Sequence, residues 1–131
     1  MKIHHVGYMV KKMQPAIEQF RALGYEIEQD TVFDDYRKID ICFMTNGAYR
    51  IELVSPKSED SVVWNLRKKT GNAPYHICYE TPDLERAAEE LRGQGYVAWD
   101  EPHEAVAIGG RRVVFLVNGR IGMIELVETP L

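Results

Sequence analysis

Ile51-Glu52-Leu53-Val54 returns letter for letter as Ile124-Glu125-Leu126-Val127. In a half-buried strand the side chains alternate between two faces. Ile51 and Leu53, like Ile124 and Leu126, therefore take the apolar side that packs on helices, and Glu52 and Glu125 take the other. A carboxylate inside an apolar strand is costly unless something pairs with it. Two of them, at equivalent places in two copies of one unit, point to a shared partner, most simply a cation.

Working outward, the repeat extends well beyond these strands. A constant offset of 71 pairs His5 with His76, Tyr8 with Tyr79, Ala16 with Ala87, Gly24 with Gly95 and Tyr25 with Tyr96. Asn46-Gly47 matches Asn118-Gly119 shortly before each Glu strand. Internal similarity on this scale decides the fold. It predicts an α+β chain of two tandem βαβββ modules, residues 1–70 and 71–131, forming a curved mixed sheet around a metal-binding cleft. In the first module, Lys2 to Val10 reads as a strand and Pro15 to about Leu23 as a helix stopped by Gly24. Tyr25 to Val32 and Lys38 to Met44 read as strands, and Ser61 to Lys69 as a short helix before the Gly71 and Pro74 boundary.

At 131 residues the chain fits a single domain with a proper core, and its 45% apolar content is globular. A formal net charge of −4 argues against binding a nucleic-acid backbone, which calls for clustered basic charge. The densest basic run, Arg67-Lys68-Lys69, sits where a last helical turn favours cations. No apolar run approaches the ~18 residues of a membrane span. Cys42 and Cys78 lie in apolar strands without ligand spacing, as buried, reduced core residues of a cytoplasmic protein would.

The repeat makes a sharper statement than either half alone. Each module carries one His on its first strand and one Glu on its last, at equivalent positions. By strand parity His5, Glu52, His76 and Glu125 all leave the helix-packed side. Two imidazoles and two carboxylates suit one divalent ion such as Zn, Ni, Co, Mn or Fe(II), and the carboxylates neutralise its charge. His4 and His103 have no counterpart in the other module and read as ordinary polar residues.

On these residues the chain resembles the glyoxalase, or vicinal-oxygen-chelate, superfamily over essentially its whole length. That family's metal ligands match His5 in Ile3-His4-His5-Val6-Gly7, Glu52, His76 in Tyr75-His76-Ile77, and Glu125. The full His/Glu/His/Glu set resembles glyoxalase I (lactoylglutathione lyase), which isomerises a thiol–aldehyde adduct. The stretch from Asp60-Ser61 through Leu66 to Gly71 and His76 is similar to methylmalonyl-CoA epimerases. So is Asp100-Glu101-Pro102 with Gly110 to Leu116, whereas Phe33-Asp34-Asp35-Tyr36-Arg37-Lys38 departs from the epimerase pattern. Both resemblances imply proton abstraction beside an oxygen held by the metal.

Glu125 or Glu52 is the expected base, with Asp34 or Asp35 as a weaker candidate. Arg37, Arg50, Arg111 and Arg112 are candidates to hold an anionic substrate. The expected reading is a glyoxalase-I-like lyase, with an epimerase as the alternative and a non-catalytic binding protein behind both. Its expected partners are a small-molecule thiol adduct or CoA thioester and a second copy of the chain. Neither nucleic acid nor membrane is expected among them.

Overall fold

The computed structural model describes residues 1–130. These form two compact units, His5–Tyr75 and the chain from His76 onward together with Met1–His4. The first carries β1 (Lys2–Met9) from His5 on, α1 (Met13–Ala22), β2 (Glu26–Asp34), β3 (Ile39–Asn46), β4 (Tyr49–Pro56) and α2 (Trp64–Thr70). The second carries β5 (Ala73–Thr81), α3 (Leu84–Arg92), β6 (Val97–Ala98), β7 (His103–Ala105), β8 (Arg111–Asn118) and β9 (Gly122–Glu128). A 3₁₀ turn at Val106–Ile108 precedes β8. The class is mixed α+β, with the βαβββ order that the repeat predicts. No helix among the described residues is long and apolar enough to cross a membrane.

Strand order is β2-β3-β4-β1 in the first unit and β5-β9-β8-β6 in the second, where β7 also pairs with β8. In each, the first strand runs parallel to the last, and the remaining pairs are antiparallel. A helix crossover between the first and second strands leaves the last strand free to close beside the first.

Helices α1 and α3 each cover one face of their own sheet. Ile17 of α1 packs with Val10, Cys42, Met44, Ile51 and Leu53. Leu84, Ala87 and Ala88 of α3 pack with Val114, Leu116, Ile124 and Leu126. Fully burying one such Leu or Ile is worth roughly 1.5–3 kcal/mol, so these two layers dominate stability. Both cysteines are buried, and neither forms a disulfide.

The two helices stop in the same way. Gly24 and Gly95 take φ of 99° and 98°. The next residue in each case, Tyr25 or Tyr96, donates its N–H to a carbonyl five residues back, on Phe20 or Leu91. A side chain at either glycine would force a β-carbon into a conformation that only glycine adopts cheaply.

The first helix begins at Met13 rather than Pro15, and three larger differences have physical causes or consequences. The strand expected to end at Val32 runs on to Asp34. The helix expected from Ser61 begins at Trp64, because the Ser61 hydroxyl donates to the Arg37 carbonyl (2.7 Å) and ties that segment to the β2–β3 turn. In the second unit the edge strand breaks into β6 and β7, both on the same side of β8.

Candidate functional site

Register decides where each predicted residue points. Residues paired directly across neighbouring strands share a face. Val6 pairs with Ile51 and Tyr8 with Leu53, on the α1 side, whereas Gly7 pairs with Glu52. His5 and Glu52 therefore project from the face away from α1. In the second unit Ile77 pairs with Ile124 and Cys78 with Glu125, which puts His76 and Glu125 on the face away from α3.

Within each unit the two side chains meet. His5 Nε2 lies 3.5 Å from Glu52 Oε1, and His76 Nε2 lies 3.3 Å from Glu125 Oε1. All four residues are 3% exposed or less. Charge-assisted N–H···O bonds draw their partners to ~2.7–2.9 Å, so both pairs sit wide of an ordinary ion pair. Two donors on a tetrahedral ion with bonds of ~2.1 Å stand roughly 3.4 Å apart. The spacing and donor chemistry of each half thus fit two neighbouring ligands on one divalent cation.

A phenylalanine backs each pair. Phe43 lies opposite Glu52 on β3 and meets the His5 ring edge-on, with centroids 5.2 Å apart at 75°. Phe115 lies opposite Glu125 on β8 and meets His76 at 5.1 Å and 70°. Such contacts hold an imidazole in one orientation at little desolvation cost.

The other candidates separate cleanly. Asp35, with its side chain 85% exposed, pairs with Lys38 at 2.6 Å and projects into solvent. Asp34 is buried and accepts the Arg37 N–H at 3.1 Å, which fixes the β2–β3 turn. Arg50 pairs with Glu28 (3.0 Å). Arg111 pairs with Glu80 (3.0 Å) and donates to the Glu128 carbonyl (2.7 Å). Arg112 binds Glu85 and Glu128 on the α3 side. Three of the four arginines proposed to hold substrate are thus committed to carboxylates, and the fourth, Arg37, is buried. Sequence alone could not show this, because each acidic partner comes from another strand or helix.

A cleft of about 540 Å³ lined by Tyr8, Val10, Phe20, Lys11 and Lys12 also lies in the first unit. Tyr8 and Val10 sit on the helix side of β1, so this cleft is across the sheet from His5 and Glu52.

His103, set aside on sequence grounds, is nearly enclosed: its side chain is 9% exposed and that of Asp100 is 7% exposed. Its Nδ1 lies 2.9 Å from the Glu101 carbonyl oxygen and 3.9 Å from Asp100 Oδ2. The other Asp100 oxygen accepts the Phe115 N–H at 2.7 Å. No internal counterpart marks His103, so the repeat could not reveal it.

Comparison with known proteins places the chain in a family. Residues 4–115 match the family model described as Glyoxalase/Bleomycin resistance protein/Dioxygenase superfamily. An ethylmalonyl-CoA/methylmalonyl-CoA epimerase of Cereibacter sphaeroides is 28% identical over 117 residues, spanning 88% of this chain and 87% of that protein. A Streptomyces coelicolor methylmalonyl-CoA epimerase, solved with 2-nitronate-propionyl-CoA, superposes with a TM-score of 0.84 at 25% identity, covering 100% of this chain and 99% of that one. The methylmalonyl-CoA epimerase from Mycobacterium tuberculosis shares the fold, with a TM-score of 0.85 at 24% identity over 99% of this chain and 89% of that one. The chain belongs to the glyoxalase/bleomycin resistance protein/dioxygenase superfamily.

Proposed function

We propose that the protein is a divalent-metal-dependent epimerase acting on a 2-substituted malonyl-CoA-type thioester, with His5, Glu52, His76 and Glu125 as ligands of one ion. The observation that carries the metal half of this reading is the twofold His/Glu pair, buried and at ligand spacing in each unit. The substrate half rests on the epimerase relatives. They favour the epimerase over the glyoxalase-I-like lyase that the ligand set put first. The reading takes the protein to work in the cytoplasm as a homodimer, with Zn, Ni, Co or Mn as the ion.

When bound, such an ion supplies Lewis-acid charge that offsets the negative charge developing beside the carbon that loses its proton. The chain supplies the rest. Glu125 or Glu52 takes the α-proton, and its low exposure keeps bulk water from competing for the transfer. Phe43 and Phe115 hold the imidazoles in place and supply apolar walls.

Methylmalonyl-CoA incubated with the metal-loaded protein in deuterated water is expected to gain α-deuterium and lose configurational purity, and a chelator should stop both. Absence of exchange with metal verified in the protein would overturn the reading. Conversion of a hemithioacetal of methylglyoxal to a thioester would return the site to the lyase.

A further inference from the structure

We propose that the cleft of about 540 Å³ in the first unit is a second ligand site, which takes a medium-chain carboxylate, its alkyl chain in the cleft and its charged end on Lys11 and Lys12. The inference stands apart from the epimerase reading, since this cleft lies across the sheet from His5 and Glu52. Its size is that of a small-molecule pocket, ~300–1,000 Å³.

The walls are apolar. Tyr8 and Val10 come from β1 and its end, Phe20 from α1, and Leu23 from the residue that closes α1. Phe20 meets Tyr8 edge-on at 5.0 Å, and Leu23 stays 69% exposed. A single exposed leucine is ordinary. An exposed leucine in the wall of an apolar hollow is surface that a chain of methylenes would take out of water. Lys11 and Lys12 add the charge. Both are exposed, and neither forms an ion pair among the described residues. Lys11 also has a fixed root: its N–H donates to Asn72 Oδ1 at 2.8 Å, and its carbonyl accepts the Ser55 hydroxyl at 3.1 Å.

The repeat supplies an internal control. The offset of 71 sets Thr81, Asp83, Arg86 and Gln94 where the first unit has Val10, Lys12, Pro15 and Leu23. In the second unit these polar groups engage one another. Asp83 accepts the Arg86 N–H at 3.1 Å, and the Arg86 side chain pairs with Glu90 at 3.2 Å. The βαβββ framework is therefore satisfied by a polar rim, and the apolar, cationic lining of the first unit is not something the fold requires.

Charge selects the occupant. Two ammonium groups with no guanidinium suit one carboxylate, without the bidentate fork that arginine would bring. A chain of net charge −4 is repelled by an anionic membrane surface. A symmetric contact between two copies centred here would set the lysines of one against those of the other.

The test titrates metal-loaded full-length protein with hexanoate, octanoate and decanoate below their micelle thresholds, read by calorimetry and by ¹H–¹⁵N spectra. Affinity is expected to rise roughly fourfold per added methylene, the equivalent of ~0.8 kcal/mol per buried CH₂, with shifts centred on β1 and α1. Decanol, which lacks the charge, should bind about three- to tenfold more weakly. Lys11→Gln combined with Lys12→Gln should weaken decanoate by that factor and leave decanol unchanged. Pro15→Arg combined with Leu23→Gln installs the rim of the second unit and should weaken both ligands; Leu23→Gln alone serves if the pair does not fold. Removing the ion with a chelator should leave decanoate binding as it was, which separates this cleft from a carboxylate held by the metal. Equal affinity for decanoate and decanol, no binding at any chain length, shifts centred elsewhere, or loss of binding with the metal would overturn the inference. So would a dimer that dissociates on Leu23→Gln, because the cleft would then be an interface between copies.

Discussion

The two units carry the same three side chains in the same register and differ in the residue opposite the carboxylate and in the edge strand. His5, Glu52 and Phe43 repeat as His76, Glu125 and Phe115, and the His–Phe centroid separations agree within 0.1 Å. Opposite the carboxylate stands Gly7 in one unit and Cys78 in the other. The second strand is nine continuous residues in the first unit, ending in the Asp34–Arg37 turn. In the second it is broken into two short pieces, with Asp100 and His103 set at the break. Gripping a small ion asks only for like ligands, which a repeat supplies twice. The surroundings of the ligands are not so constrained, and the edge strands are where the two units diverge.

The largest expected effects test whether the matched pairs are as equivalent as they look. His5→Ala and His76→Ala should each lose bound metal and activity together, because a ligand is deleted outright. Elemental analysis of the purified variants checks this. Gln at either carboxylate keeps an oxygen that coordinates but nearly abolishes basicity. Whichever of Glu125→Gln and Glu52→Gln retains metal yet loses about 10²–10⁴-fold in α-proton exchange marks the base. An equal, modest loss in both would leave neither as the base and break the proposed division of labour.

The part of this comparison that was legible in the sequence was the part that repeats. Letter-for-letter strands and a constant offset fixed the module order. Strand parity then placed His5 and Glu52 with Gly7, away from the face that holds Ile51 and Leu53. What escaped was set by partners distant in the chain. The pairing of His103 with Val113 depends on a three-residue strand whose sequence, His-Glu-Ala, carries no strand signature. Arg111 and Arg112 look like candidate anion binders until Glu80, Glu85 and Glu128 arrive from other elements. Asp34 is the exception: its partner is local, the Arg37 N–H three residues on, and it reads as a candidate base only until the turn that this bond closes is seen.

A smaller effect is expected from the way each helix begins. Asp83 caps α3 by accepting the Arg86 N–H at 3.1 Å. Lys12 occupies the same place before α1, is extended in backbone, and makes no side-chain cap. A lysine there also sets positive charge against the positive end of the helix dipole. Asp83→Ala should cost about 0.5–2 kcal/mol, and Lys12→Asp should gain a comparable or smaller amount, read as opposite shifts of the urea midpoint at constant slope. If Lys12→Asp is destabilising, α1 does not begin as α3 does, and the two helices are less alike than their common Gly24 and Gly95 stops suggest.

The smallest expected effect concerns how each helix is held to its sheet. α1 relies on aromatic edges, with Phe20 against Tyr8 at 5.0 Å and against Tyr25 at 5.3 Å. α3 adds charge: the Arg112 guanidinium on β8 binds Glu85 in its first turn and Glu128 on β9. The hydrogen bond from Arg112 holds the Glu85 carboxyl below its ordinary value of 4.5. A carboxyl lowered in the folded state contributes stability above its unfolded pKa and loses it as pH falls through the folded one. Wild-type protein should therefore be more stable than Glu85→Gln at neutral pH, and the gap should close in acid, below 4.5. Because the pair is exposed, the gap should be small and should shrink further in high salt. Thermal melts of both proteins at pH 7 and pH 3, with and without added salt, read the difference directly. A gap that persists in acid would mean that Glu85 contributes through packing rather than charge, and the contrast with α1 would lose its electrostatic basis.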